Sequence, residues 1–154
     1  MIADSSFLIG LFSESDIFHQ KAREDFASCE TQTVVVADRV LEETMTVLTY
    51  KKGIRFAMEA VEKIQSNLRF KIVALNKDDC ATIFALAKKT GRSLGFTDYA
   101  VAYLCCQERS FPLAYDKQLS SLVLRECQST PGWAEDEILY GEHDPQARHY
   151  KPKK

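Results

Sequence analysis

Several absences narrow the class of this chain before any residue is singled out. No run of about 18 apolar residues occurs, so no membrane span is expected. Basic charge is not in excess: 20 Lys and Arg face 22 Asp and Glu, a formal net charge of -2. Net charge therefore does not advertise nucleic-acid binding, and any such surface must be a local basic patch. The opening Met1-Ile2-Ala3-Asp4 lacks a basic region followed by an apolar stretch, so no signal peptide is expected. No C-x-x-C pair occurs and the five Cys are odd in number, which argues against a disulfide framework or a zinc site. Cys29, Cys80, Cys105, Cys106 and Cys127 are expected as reduced thiols in a cytoplasmic protein, mostly small core residues. His19, His143 and His149 are scattered, with no ligand spacing among them. No internal repeat or low-complexity segment stands out.

What is present reads as one soluble domain. The chain has 154 residues, 45% hydrophobic and 27% charged, enough for a single core. Short apolar runs alternate with amphipathic stretches. Ile2-Ala3 ends a first strand, and Asp4-Ser5-Ser6 follows before the apolar Phe7, Leu8, Ile9, Leu11 and Phe12. A helix is predicted over 16–28, with Phe18, Ala22 and Phe26 on one face, and a β-branched strand over 33–36. Asp38 looks like the cap of a helix over 39–51, which Gly53 ends. A helix over 54–66 and a strand over 70–74 come next. Asn76 with Asp79 resembles a capping start for a helix over 77–90, with Ile83, Phe84 and Ala87 inward and Gly91 as its stop. Phe111 to Tyr115 forms a short strand ended by Asp116; a helical segment with Leu119 and Leu122 follows, and Leu122-Val123-Leu124 reads as the start of a last strand. From Pro131 onward apolar content is too low to fold alone. The expected organisation is a domain over 1–130 and a tail over 131–154, partly disordered or docked through Trp133, Ile138, Leu139 and Tyr140 on the body or a partner.

Four acids carry the chemistry. Asp98 begins an almost wholly apolar helix after Gly95-Phe96-Thr97, sharing its side with Val101, Ala102 and Cys105. It has two readings: an ordinary first-turn acid that caps the helix, or a carboxylate aimed along a buried stripe that something must neutralise. Asp4 and Asp116 both follow short apolar strands, at the carboxyl ends where sites lie in open α/β sheets. Glu42 and Glu43 point about 100° apart. Glu42 shares its stripe with Arg39, Thr46 and Thr49; Glu43 shares its stripe with Val40, Val47 and Tyr50 and is the inward one. Alternating strands and helices imply a mostly parallel sheet covered on both faces, with the loops after the strands gathered on one edge. Four carboxylates meeting there would repel unless cations joined them, and oxygen ligands of this kind suit Mg²⁺ or Mn²⁺. Such a centre is the usual equipment for cutting phosphodiesters. Asp4 is not followed by the second Asp of a phosphoaspartate nucleophile motif, which disfavours a phosphatase of that kind.

Ser6, and Ser5 beside it, either cap a helix or hold a carboxylate in place, and Thr97 either caps the Asp98 helix or supports the acid. Lys51, Lys52 and Arg55 around Gly53, and Lys88, Lys89 and Arg92 before the Asp98 helix, are either phosphate contacts or solvated helix-end charges. Tyr99 and Tyr103, one turn apart, either pack or stack a base.

The order and spacing of four pieces resembles the PIN-domain family, and within it the small VapC-type toxins. They are Ile2-Ala3-Asp4-Ser5-Ser6, Val40-Leu41-Glu42-Glu43 leading to Val47-Leu48, Leu94 to Ala102 around Asp98, and Leu113-Ala114-Tyr115-Asp116. The resemblance covers about residues 1–125; Ala114 and Leu119 depart from it, standing where members often have Thr or Asn and Phe, and the tail finds no match. It implies a three-layer α/β/α PIN-like fold with a mostly parallel central sheet. It implies a Mg²⁺- or Mn²⁺-dependent ribonuclease in which Asp4, Glu43, Asp98 and Asp116 are catalytic and metal-binding. It also implies a homodimer and an antitoxin that inhibits by reaching into the acidic site. The rival readings are a housekeeping RNA-processing nuclease and a non-catalytic PIN-fold module that binds RNA or protein; the presence of all four acids favours an enzyme.

Overall fold

The computed structural model describes residues 1–127. Along them run β1 (Ile2–Ala3), α1 (Ser5–Phe12), α2 (His19–Ser28), β2 (Val34–Ala37), α3 (Asp38–Lys52), α4 (Ile54–Ser66), β3 (Phe70–Val73), α5 (Lys77–Thr90), α6 (Phe96–Gln107), β4 (Pro112–Leu113) and α7 (Lys117–Cys127). The four strands are all parallel, in the order β3-β2-β1-β4.

That order fixes the layers. From β1 through β2 to β3 the chain steps one way across the sheet, and from β3 to β4 it returns past β1. Right-handed crossovers in opposite directions lay their helices on opposite faces. α1 to α4 therefore cover one face, α5 and α6 cover the other, and α7 packs on α6. The reversal falls between β1 and β4, and such a reversal leaves a crevice outside the carboxyl ends of the two strands.

Burial follows from the layers. All four residues of β2 are buried, as a central strand covered on both sides must be. β3 is an edge strand and leaves Lys71 and Ile72 exposed. α6 is apolar around most of its circumference because sheet, α5 and α7 enclose it; Ala100, Val101, Ala102 and Cys105 are fully buried. Gly53 joins α3 to α4 with φ +89°, a backbone that side-chain-bearing residues rarely adopt. Asn76 and Asp79 form the expected reciprocal cap of α5.

The structure departs from the sequence expectations at several places in the fold. α2 begins at His19, because the Asp16 carboxylate accepts the Phe18 N–H at 3.1 Å in a turn. Asp38 is the first residue of α3 rather than its cap, and its Oδ1 accepts the Arg39 and Leu75 N–H groups. The 122–124 segment belongs to α7, since Leu119, Leu122, Val123 and Cys127 are buried at helical spacing and outweigh a three-residue apolar run. Cys106 and Cys127 form a disulfide, against the expectation of five reduced thiols. Packing of α7 on α6 brings their Cα atoms to 5.0 Å, within bonding reach. Cys29, Cys80 and Cys105 are free. The tail over 131–154, with the docking residues expected in it, lies outside the described residues, as do His143 and His149. Among the described residues no helix is long and apolar enough to cross a membrane.

Candidate active site

Asp4 leaves β1 at the reversal, its backbone N–H donating to Leu113 O of β4 at 3.0 Å. It caps α1: Oδ2 accepts the Ser6 N–H at 3.0 Å and the Ser6 hydroxyl at 2.6 Å. The same hydroxyl oxygen accepts the Tyr115 N–H at 3.1 Å. One Ser6 side chain thus ties the end of β1 to the end of β4. Ser6 therefore does not cap the helix as one reading had it; Asp4 is the cap, and the Ser6 hydroxyl holds its carboxylate. Asp4 is only 4% exposed. Burial pushes its pKa up, the bonds from Ser6 and the Ser5 backbone oppose the rise, and the charge of Glu43 adds to it.

Asp98 stands in the first turn of α6, where its Oδ2 accepts the Gly95 N–H at 2.8 Å. Gly95 is therefore the cap, and Thr97 lies one turn-position inside the helix, not at its cap as expected. The Asp98 pKa is pushed up to about 6. Burial is the main cause; the Gly95 bond works against it, and the charges of Asp4, Asp116 and Glu43 each add to it. At Asp98 the four acids from separate parts of the chain act on one group.

The remaining two acids arrive by different routes. Glu42 pairs with Arg39 at 3.0 Å on the exposed side of α3, and Glu43 turns inward. Its Oε2 is buried and has no hydrogen-bond partner among the described residues. Asp116 follows β4 and starts α7, its Oδ1 accepting the Gln118 N–H at 2.7 Å and its carbonyl accepting from Ser120.

These acids share a field without closing a coordination shell. Among the described residues no three His, Cys, Asp or Glu side chains form a ready ligand set for a metal. Asp4, Asp98 and Asp116 each face a donor at the start of their own helix. The raised carboxyls of Asp4 and Asp98 are the mark of crowded, buried negative charge. The buried Glu43 oxygen without a partner among the described residues is an acceptor still to be satisfied. Oxygen donors with surplus negative charge fit a hard divalent cation such as Mg²⁺ or Mn²⁺.

Most of the expected phosphate contacts have other partners. Lys51 pairs with Asp16 at 3.5 Å, Arg55 with Glu59 at 3.3 Å and Lys89 with Glu126 at 2.7 Å. Lys52 and Lys88 are exposed and make no ion pair among the described residues. Arg92 donates to Gln118 O at 3.4 Å and Ser121 Oγ at 3.3 Å, on the first turns of α7 after Asp116. Tyr99 and Tyr103 pack rather than stack: the Tyr99 hydroxyl donates to Arg92 O at 2.9 Å, and that of Tyr103 donates to Asp79 at 2.7 Å. The bond to Asp79 carries the Tyr103 pKa to about 12.

Sequence reasoning passed over Tyr115. Its ring stacks on Phe18 at 4.6 Å and its hydroxyl donates to Asp25 Oδ2 at 2.9 Å. With its N–H held by Ser6, it fixes the residue before Asp116 from both ends. The available signal was its place between a strand and an acid.

A family model for the PIN domain matches residues 1–122, a span that includes all four acids. No curated protein matches the chain by sequence. Among solved structures, VapC20 of Mycobacterium tuberculosis, a sarcin-ricin loop cleaving toxin, is similar at 23% identity and a TM-score of 0.71, over 78% of this chain and 92% of that one. VapBC2 from Rickettsia felis, solved bound to a DNA fragment from its promoter, is similar at 11% identity and a TM-score of 0.60, over 79% of this chain and 91% of that one. At these identities the likeness establishes a shared fold. With a family match over most of its length and the parallel sheet order to accompany it, this chain belongs to the PIN domain family.

Proposed function

We propose that this PIN-domain protein is a divalent-metal-dependent endoribonuclease, hydrolysing RNA phosphodiester bonds as the toxin of a toxin–antitoxin pair in the cytoplasm. The observation that carries the reading is the buried, under-partnered set of acids: Asp4 is 4% exposed, Glu43 Oε2 is buried with no hydrogen-bond partner among the described residues, and burial and then the charges of Asp4, Asp116 and Glu43 push Asp98 up. Asp4, Glu43 and Asp98 would hold one Mg²⁺ or Mn²⁺, and Asp116 would help hold a second or orient the attacking water. When bound, such an ion supplies Lewis acidity and an acidified water. The chain's own groups do the rest. Ser6 keeps the Asp4 carboxylate aimed by its 2.6 Å bond. Tyr115 fixes the backbone that presents Asp116. Arg92, between α5 and α6 with its guanidinium on the first turns of α7, would neutralise a phosphate beside the acids.

RNA as substrate and an antitoxin as partner are supported by the fold shared with VapC20, a sarcin-ricin loop cleaving toxin, and with VapBC2, which was solved on a fragment of its promoter DNA. A homodimer would cover Tyr50, Ile54 and Met58, large apolar side chains left exposed on α3 and α4. The test is RNA cleavage by the purified full chain with Mg²⁺ or Mn²⁺ and with chelator, wild type against Asp98→Asn. Metal-dependent cleavage that falls on the order of a hundredfold or more in the variant is expected. Cleavage by Asp98→Asn at close to the wild-type rate would overturn the assignment.

A further inference from the structure

The helical pattern of α5 expects Phe84 to face inward with Ile83 and Ala87, yet Phe84 is 62% exposed. Ile83, fully buried, takes the inward place. The Phe84 ring leans on Phe96, with centroids 5.3 Å apart and planes at 51°. Phe96 opens α6, two residues before Asp98 and next to Gly95, whose N–H holds the Asp98 carboxylate. A large ring supported by a second ring is therefore left open to water at the end of the helix that carries Asp98. One turn further along α5 stands Lys88, exposed and without an ion pair among the described residues. Arg92 follows beyond the end of α5 and reaches the first turns of α7.

A phenylalanine left largely in water forfeits most of the stabilisation its burial would bring. The neighbouring exposed surface of α5 does not read as a protein interface. It is made of Ala81, Thr82, Ala85, Lys88 and Lys89, small or charged residues around a single ring. A single ring with one open face beside cations matches the chemistry of a nucleotide, whose base has a π-face and whose backbone is anionic.

We propose that the open face of Phe84, backed by Phe96, stacks an unpaired nucleobase of the RNA strand that enters the acidic site, with Lys88 on the adjoining phosphate. This subsite rests on the ribonuclease reading above. The binding test uses the full chain carrying Asp98→Asn, so that RNA is held but not cut. The probe is a single-stranded oligoribonucleotide of roughly ten nucleotides carrying a fluorescent adenine analogue that stacking quenches. Quenching on binding is expected. Adding Phe84→Ala should remove the quench and weaken binding about tenfold, and Phe84→Trp should restore both. Lys88→Gln should keep the quench but lower the salt dependence of binding. With Asp98 intact, Phe84→Ala should raise KM for the same RNA about tenfold.

An unchanged quench and KM in Phe84→Ala, with Asp98→Asn still inactive, would overturn the subsite and leave the nuclease reading standing. A change in sedimentation with no change in RNA binding would also overturn it, by assigning the ring to a contact between copies of the chain. Absence of both RNA binding and cleavage in the wild type would overturn the two readings together.

Discussion

Replacing Asp98 by Asn should make the metal-free protein more stable while abolishing its activity. The amide oxygen of Asn can still accept the Gly95 N–H that now reaches Oδ2 at 2.8 Å, so the start of α6 is preserved. What is lost is a negative charge opposed by burial and by Asp4, Asp116 and Glu43, which together raise the carboxyl from 3.8 to about 6. Two pKa units correspond to about 3 kcal/mol against the charged form. Solvent screening of a partly exposed group reduces this to on the order of 1–2 kcal/mol. Because the folded pKa lies above the unfolded one, the folded state binds the extra proton between about pH 4 and pH 6. Asp98 therefore costs stability progressively as pH rises through that window, and its full cost is present above it. The variant lacks this slope. Its advantage over wild type should be near zero at about pH 4 and reach roughly 1–2 kcal/mol at about pH 7, or about 3–8 °C in Tm. Urea denaturation of both proteins in chelator across this range reads the difference directly, and other carboxylates cancel in the comparison. A variant no more stable than wild type at neutral pH would show that the four acids do not crowd one another.

Three further outcomes follow from particular bonds. Ser6→Ala removes both the donor to Asp4 and the acceptor for the Tyr115 N–H; it should cost about 1–3 kcal/mol in urea denaturation and weaken Mn²⁺ affinity measured by calorimetry. Glu43→Gln should abolish metal-dependent cleavage, whereas Glu42→Gln, which breaks only a surface pair with Arg39 worth less than about 1 kcal/mol, should leave it near wild type; equal losses in a cleavage assay would mean that the inward and outward faces of α3 are misassigned. Reducing the Cys106–Cys127 bond, which closes a loop across 21 residues, should cost about 3 kcal/mol and lower Tm on the order of 10 °C, and Cys127→Ser should be insensitive to reductant.

Periodicity and strand-end acids made the architecture legible. The Val-rich β2, the capped α5 and the all-apolar α6 could be read because their local signals and their tertiary setting agree. The choice of Glu43 over Glu42 followed from a 100° step around a helix, and the burial of its Oε2 agrees with that choice. The larger misses share a physical cause: they depended on partners distant in the chain. Leu122-Val123-Leu124 reads as a strand until α6 supplies the surface that its helix packs on. Cys106 and Cys127 carry no spacing signal, since only the docking of α7 brings them together. Lys51 and Lys89 read as free cations until folding brings Asp16 and Glu126 to them. The bridge from Asp4 through Ser6 to Tyr115 is invisible in sequence for the same reason.

The account depends on one centre at the crevice between β1 and β4. An anomalous-difference map from crystals of the full chain soaked in Mn²⁺ tests it most directly. The account predicts a peak among the carboxylates of Asp4, Glu43 and Asp98, with Asp116 beside it. A well-phased map with Mn²⁺ bound only elsewhere, and these four side chains held by protein donors alone, would contradict it.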